Sequence, residues 1–239
     1  MSVHEILPVL PDVPALRDRC RALAVLETVM DTRDQFFAYD ADWSETEEAA
    51  LMDNGSGDDY AIVFSAAGAY ARGFAHESRM SPWGGEDVEV WPGLVDAVPE
   101  VFRPHVTEPA FCDDDGDGPV PRVTVVFWRE AADGAWRTGP VEIPESPGGY
   151  GDGARDLFEV LVAGTPEAYR DFAEDYHERS VDLDAIRHVY ALRPLTAEVI
   201  MTLNPEADPA VVAAAVAATG YPVGGPANVM AGGFACCVE

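Results

Sequence analysis

Three aspartates at alternating positions are the first residues in this chain that could bind a metal ion. Asp113, Asp115 and Asp117 match the first half of an EF-hand loop, in which alternating carboxylates converge on calcium. Gly118 follows them, as the sharp turn of such a loop requires. The twelfth position, which should be a bidentate glutamate, is Thr124. The pattern therefore favours a solvated acidic loop over a calcium site, and the sequence indicates no cofactor.

Two acid and histidine pairs have spacings that also occur in metal sites. Glu174 and His177 lie three residues apart, which on a helix directs two ligands toward one metal. A carboxylate-bridged site needs a second such pair, and no other histidine has an acid three positions before it. Asp184 and His188 become neighbours on one helical turn whether or not a metal is present. Both pairs indicate exposed faces of amphipathic helices.

An acid, a base and a hydroxyl follow one another at His76, Glu77 and Ser78. Neighbours in sequence seldom point at one reacting atom, which acid and base catalysis requires. The chain also lacks the GxSxG, GxGxxG, P-loop and HExxH patterns. A metal-dependent hydrolase that uses His76, Glu77 and the loop at 113–117 is the alternative function that these residues leave open.

The segment 74–93 concentrates large side chains in a connection that follows a predicted strand. Tryptophan, arginine and methionine are enriched at the centres of protein interfaces, and loops held by a rigid sheet often carry function. The structural alternative is that both indoles fold back and close the core. The predicted binding residues are His76, Glu77, Arg79, Met80, Trp83 and Trp91.

The elements that must position this segment follow from apolar periodicity and turn residues. Apolar residues at helical spacing predict a helix over 13–30, with Asp12 as its N-cap. Residues 44–53 indicate either a second short helix or a capped turn, with Glu47 three residues after Ser44 as in a capping box. Strand formers at 59–64 and 69–74 predict an antiparallel hairpin. Segments 122–129 and 136–143 flank Asp133-Gly134 and predict a second one.

The second half of the chain is predicted to be helical. A helix in the region 154–163 is followed by one that begins after Thr165, with Pro166 at its first position. A short helix is expected near 183–189, and the apolar segment 198–203 is ambiguous. A further helix over 208–219 should end at Gly220.

Strands in hairpins with helices before and after them indicate an α+β fold, with a mostly antiparallel sheet of four or more strands and helices packed on one face. We expect a single domain over 1–239, with a possible subdivision near 144–153, where proline and glycine are frequent. Residues 224–239 are rich in glycine and alanine and are predicted to form a flexible tail.

Charge excludes two classes of partner. All 15 basic side chains are arginines, against 43 acids, and the formal net charge is −28. A G+C-rich genome explains the missing lysines, and halophilic adaptation is an alternative, but coding bias alone does not explain the excess of acid. Nucleic acids and anionic membranes are therefore poor partners, whereas a basic protein is a suitable one.

The cellular location is predicted from the amino terminus and the cysteines. The first residues lack a basic start and contain several prolines, so we do not expect an export signal. No apolar segment is long enough to span a membrane. The four cysteines show no disulfide framework or metal spacing, which indicates reduced thiols in a cytoplasm.

Several short segments carry a resemblance to a known group of proteins. They are YAIVFS at 60–65, GFAHESRMSP at 73–82, WPG at 91–93, VPE at 98–100, WRE at 128–130, PEAY at 166–169 and HVYALRP at 188–194. Together they resemble a family of uncharacterised bacterial proteins common in actinomycetes, over roughly residues 25 to 222. The resemblance implies a cytoplasmic bacterial protein and implies no activity.

These observations favour a non-enzymatic, acidic protein-binding module over an enzyme. Its character is similar to that of immunity proteins, which neutralise basic toxins by complementary charge. This comparison rests on analogy, because a fold does not by itself define a function. We expect aromatic residues of the segment 74–93 to supply most of the affinity and the carboxylates to speed association.

Overall fold

The computed structural model describes residues 1–114, 116, 118–145 and 151–224. In this part of the chain, a five-stranded antiparallel sheet packs with helices in an α+β arrangement, as predicted. The order of strands in the sheet is β1-β2-β3-β4-β7. Its strands are β1 (Phe37–Ser44), β2 (Glu47–Asp53), β3 (Asp59–Ser65), β4 (Gly68–Phe74) and β7 (Val125–Glu130). A separate two-stranded ribbon consists of β5 (Cys112–Asp114) and β6 (Pro119–Pro121).

Helices lie before, between and after these strands. The α-helices are α1 (Val3–Ile6), α2 (Val13–Met30), α3 (Arg103–Val106), α4 (Ala154–Leu157), α5 (Glu159–Ala163), α6 (Pro166–Tyr176), α7 (Leu183–Tyr190), α8 (Ala197–Leu203) and α9 (Pro209–Val216). Short 3₁₀ turns occupy Leu7–Val9, Glu100–Phe102, Pro109–Phe111 and Ala217–Thr219. No helix in the described residues has the length and apolar character needed to cross a membrane.

Helix α2 has the predicted bounds and forms the centre of the helical layer. The side chain of Asp12 accepts a hydrogen bond from the Ala15 amide at 3.0 Å, which satisfies one of the unpaired donors at the helix start. Leu16, Cys20 and Leu23 lie on its buried face. These residues recur every three to four positions and form an apolar stripe, and residues 22–30 are buried all round, between the sheet and the later helices.

The register of the sheet places one set of side chains against the helices. Cross-strand partners point to the same face, and Tyr60 pairs with Gly73 while Ile62 pairs with Ala71. The side chains on this face are buried in one cluster with those of α2. They include Phe37, Tyr39, Ala50, Met52, Tyr60, Ile62, Phe64, Ala71 and Phe127.

The connection between β4 and β7 covers the opposite face of the sheet. Phe111 packs there against Ala61 and Val63, and it stacks on Trp43 with the ring centres 5.7 Å apart. Arg72 is buried on the same face, where it pairs with Asp59 and lies 4.9 Å from the centre of the Phe111 ring. The sheet is therefore covered on both sides, by helices on one and by the long connection on the other.

Of the two interpretations of 44–53, the short helix is wrong, because these residues form the end of β1, a turn and the whole of β2. Strand β2 pairs with a neighbour on each side, so its backbone donors and acceptors are satisfied by the sheet. The Ser44 hydroxyl does donate to the Glu47 carboxylate, at 3.1 Å, but this bond closes the turn of a hairpin. Tertiary pairing has overridden a local helical pattern.

The hairpin at 59–74 is confirmed, whereas the second predicted hairpin is only half formed. Strand β7 is present, and the Asp133 amide closes the turn onto the Glu130 carbonyl at 2.9 Å. The segment 136–143 contributes only one bridge, between Trp128 and Arg137. Its Trp136 side chain instead turns inward and donates to the Pro11 carbonyl at 2.6 Å, which binds this segment to the amino terminus.

The helical second half follows the prediction with one difference. The Thr165 hydroxyl accepts from the Ala168 amide at 3.2 Å, as expected of an N-cap, and Gly220 ends the last helical turn with φ of 67°. The region 154–163 is divided at Phe158 into α4 and α5. The core includes residues from both sides of the predicted subdivision, but residues 146–150 and the predicted tail from 225 onward lie outside the described residues.

Candidate functional site

The residues between β4 and the Glu100 turn contain no helix or strand, so hydrogen-bonded turns must hold them. We call residues 75–93 the tryptophan loop. The amides of Ser78, Ser81 and Gly84 each donate to a carbonyl three residues earlier, at 3.0, 3.0 and 2.9 Å. These successive turns give the loop a defined path over the end of the sheet.

Two side chains fasten the base of the loop to the core. The Ser78 hydroxyl donates to the Gly151 carbonyl at 2.6 Å and accepts from the Met80 amide at 3.0 Å. Met80 is fully buried, with an exposed fraction of 0%. Its predicted place on the binding surface is therefore incorrect for the folded protein, because the apolar side chain belongs to the core.

The two tryptophans of the loop have different environments. Trp83 is 37% exposed and packs edge-on against Phe74, with the ring centres 5.6 Å apart. Trp91 is half-buried, and its indole Nε1 donates to the Glu142 carbonyl at 2.9 Å. Neither indole is sealed inside the protein, and each is held in place by a specific contact.

Beside Trp91 the loop surrounds an open hollow with a volume of about 390 Å³. We call it the Trp91 hollow. Its lining residues are Arg79, Ser81, Pro82, Gly84, Gly85, Asp87, Glu89, Val90, Trp91 and Pro92. Proline, valine and indole groups and charged groups both line the hollow, so it is amphipathic. Trp83 is not part of this lining.

Two carboxylates, Asp87 and Glu89, line the hollow, and Glu86 precedes them in the loop. Glu86, Asp87 and Glu89 are exposed, and within the described residues their side chains make no hydrogen bond or ion pair. Arg79 is the cationic side chain of the lining, and its Nη1 lies 3.4 Å from the Glu145 carbonyl. The carboxylates are thus available to a cation from outside.

The predicted group of His76, Glu77 and Ser78 does not converge on one point. His76 is exposed, and its Nδ1 lies 2.7 Å from a carboxylate oxygen of Asp58. Glu77 is exposed, whereas the Ser78 hydroxyl is directed to Gly151 in the interior. His76 and Glu77 therefore lie at the surface at the start of the loop, and Ser78 has a structural role.

The alternating aspartates are only partly described. Asp113 lies in β5, with a carboxylate oxygen 3.8 Å from Nη1 of Arg122, while Asp115 and Asp117 lie outside the described residues. In the parts of the chain that the structure describes, no three or more His, Cys, Asp or Glu side chains are placed together to hold a metal ion.

One polar cluster was not anticipated from sequence. Glu27 of α2 is fully buried, and its carboxylate contacts the Tyr169 hydroxyl at 2.7 Å and Nε2 of His177 at 3.3 Å. Its second oxygen accepts from the Phe36 amide at 3.2 Å. His177 was expected on an exposed face together with Glu174, but only 13% of its side chain is exposed. The position of Glu27 on the apolar stripe of α2 was the available signal.

Comparison of the sequence with protein-family models gave no match, and neither curated proteins nor solved structures gave one.

Proposed function

We propose that the protein is a non-enzymatic binding module that captures a basic protein through the tryptophan loop. The observation that carries this proposal is the juxtaposition, in one open hollow, of Trp91 with Asp87 and Glu89, whose carboxylates form no ion pair with the described part of the chain. Exposed aromatic groups supply affinity at the centre of interfaces, and complementary charge accelerates encounter.

The tryptophan loop meets two physical requirements of such a surface. Its turns and the Ser78 contacts hold the backbone before binding, so less conformational freedom is lost on association. The formal charge of −28 attracts a basic macromolecule from a distance and repels polyanions. We place this activity in a bacterial cytoplasm, with a role similar to that of an immunity protein.

Affinity capture with matched variants tests the proposal. Immobilised protein would be exposed to a lysate of the source organism, and the retained proteins identified by mass spectrometry. We expect a retained protein with an isoelectric point above about 9 whose yield falls with rising salt, because charge steers association. Trp83→Ala and Trp91→Ala should each reduce its yield at least tenfold.

Val211→Ala is the matched control, since Val211 is an exposed apolar residue on α9. It should retain the partner as well as the unchanged protein does. Equal capture by the tryptophan variants would disprove a role for the loop. Thermal unfolding of each variant separates the remaining case: if both tryptophan variants fail to fold, the indoles are core residues and the proposal is wrong.

A further inference from the structure

The walls of the Trp91 hollow define the chemistry of the group that fits it. Pro82, Val90 and Trp91 present apolar surface, whereas Asp87 and Glu89 present carboxylates. The volume of about 390 Å³ lies near the lower end of ligand pockets, which begin at roughly 300 Å³. A long side chain with a flat apolar face and a positive end satisfies both kinds of wall.

Among natural side chains, arginine has this combination. Its planar guanidinium stacks on an aromatic face and can donate two parallel hydrogen bonds to a carboxylate. A cation over an indole is attracted by the negative face of the ring, most strongly where the site excludes water. Lysine carries the same charge as a compact, strongly hydrated group, so it gains less from the flat wall.

The hollow is prepared for such a group. The hydrogen bond from Trp91 Nε1 to the Glu142 carbonyl fixes the indole, so its ring need not be ordered on binding. Arg79 lies in the lining, but in the described residues it forms no ion pair with Asp87 or Glu89. Both carboxylates therefore keep their capacity to accept hydrogen bonds.

We propose that the Trp91 hollow takes an arginine side chain from an extended segment of the basic partner, with the guanidinium against Trp91 and its N–H groups donating to Asp87 and Glu89. This inference rests on the proposed function and adds the identity of the side chain that is recognised. Arginine is the predicted ligand of the hollow, and the test compares it with lysine.

Peptide titration tests this assignment without knowledge of the natural partner. Three nonapeptides serve as probes, consisting of three Gly-Arg-Pro, Gly-Lys-Pro or Gly-Gln-Pro repeats. Binding to the full chain would be followed by tryptophan fluorescence and calorimetry at low salt. We expect the arginine probe to bind at least fivefold more tightly than the lysine probe, and the glutamine probe to show no binding.

Charge-matched variants locate the site. The double variant Asp87→Asn, Glu89→Gln should lower the affinity for the arginine probe at least fivefold. The amides still contain an acceptor oxygen, but the negative charges that strengthen both hydrogen bonds are lost. The control is Glu198→Gln, Glu206→Gln, which removes the same charge from exposed residues of the α8 region. It should leave the affinity within twofold. All four residues are exposed, so these substitutions do not disturb the core.

Equal affinity for the arginine and lysine probes would overturn the assignment and indicate general electrostatic attraction. Equal weakening by both double variants would overturn it as well. The proposed function and the arginine site can fail separately. If capture of a protein partner depends on Trp83 but does not change in the Asp87 and Glu89 variant, only the arginine site is refuted. An arginine probe that binds the hollow, without any captured partner, refutes only the protein-binding function.

Discussion

The hydroxyl of Tyr169 donates a 2.7 Å hydrogen bond to the carboxylate of Glu27, across 142 positions of sequence. Burial, together with the neighbouring carboxylate, raises the pKa of Tyr169 well above its ordinary value, so the phenol stays a donor. His177 and the Phe36 amide complete the surroundings of this carboxylate. Helix α6 and the start of the sheet are thereby joined to α2 inside the core.

Replacement of Glu27 by alanine should lower the free energy of unfolding by about 3 to 5 kcal/mol, because it leaves several buried donors without an acceptor. Glu27→Gln should cost less, since the amide oxygen can still accept from Tyr169. Urea denaturation followed by circular dichroism measures both. Glu198→Ala, at an exposed position of α8, is the control and should stay within about 0.5 kcal/mol. A loss below about 1 kcal/mol for Glu27→Ala would contradict the role of this cluster.

Cys20 gives a prediction for alkaline pH. Burial raises the pKa of its thiol from 9.0 to about 12. When the pKa of a group is higher in the folded state than in the unfolded state, the group stabilises the fold at every pH below the unfolded-state pKa. This contribution is lost as the pH rises from about 9 toward 12. The difference in unfolding free energy between the unchanged protein and Cys20→Ala should therefore shrink by about 1.4 kcal/mol for each pH unit above 9.

Denaturant titrations at pH 8, 9, 10 and 11 under reducing conditions measure this difference. The tyrosines and the other thiols are shared by the two proteins, so their titration cancels to first order. A difference that stays constant between pH 9 and pH 11 would show that water reaches Cys20 in the folded state.

Gly68 at the start of β4 should tolerate no side chain. Its φ is +132°, and an added Cβ would lie 2.1 Å from the Arg129 carbonyl oxygen. Gly68→Ala must therefore shift the paired backbone of β7, and we expect a loss of about 3 kcal/mol or more. Gly134 has open space around it, and Gly134→Ala should change the stability by less than about 1 kcal/mol. Similar melting temperatures for the two variants would argue against the observed β4 and β7 pairing.

Truncation of a buried and of an exposed side chain of the tryptophan loop should lower the free energy of unfolding by different amounts. Met80→Ala removes a fully buried side chain and should cost about 2 to 5 kcal/mol. Trp83→Ala should cost clearly less, because more than a third of the indole is exposed and its contact with Phe74 is at one edge. Chemical denaturation of both variants checks the order. The reverse order would place Trp83 in the core.

Elements with strong local signals could be predicted from sequence. Helix α2 has an N-cap at Asp12 and a regular apolar stripe, and the hairpin of β3 and β4 is rich in strand formers. Strand β2 lacked such a signal, because Ala49 and Ala50 point to opposite faces and are both buried. Alternation between apolar and polar residues disappears when both faces of a strand are covered.

The candidate site could likewise be predicted only in part. The residue types of the loop indicated a binding surface, but loops have no periodicity that separates inward from outward side chains. Met80 and Trp83 are three residues apart, and only the three-dimensional path of the turns decides that one is buried and the other exposed. The availability of Asp87 and Glu89 likewise depends on where the arginines lie in space.

The central position of α2 has a consequence for biosynthesis. Helix α2 is translated before α6, so Glu27 obtains its Tyr169 partner only after 142 further residues have been added to the chain. Until then, the apolar residues of α2 and the carboxylate of Glu27 must remain accessible to solvent or to a chaperone. Completion of the fold therefore waits for the carboxyl-terminal helices, and a nascent chain stalled before α6 would be a substrate for proteolysis.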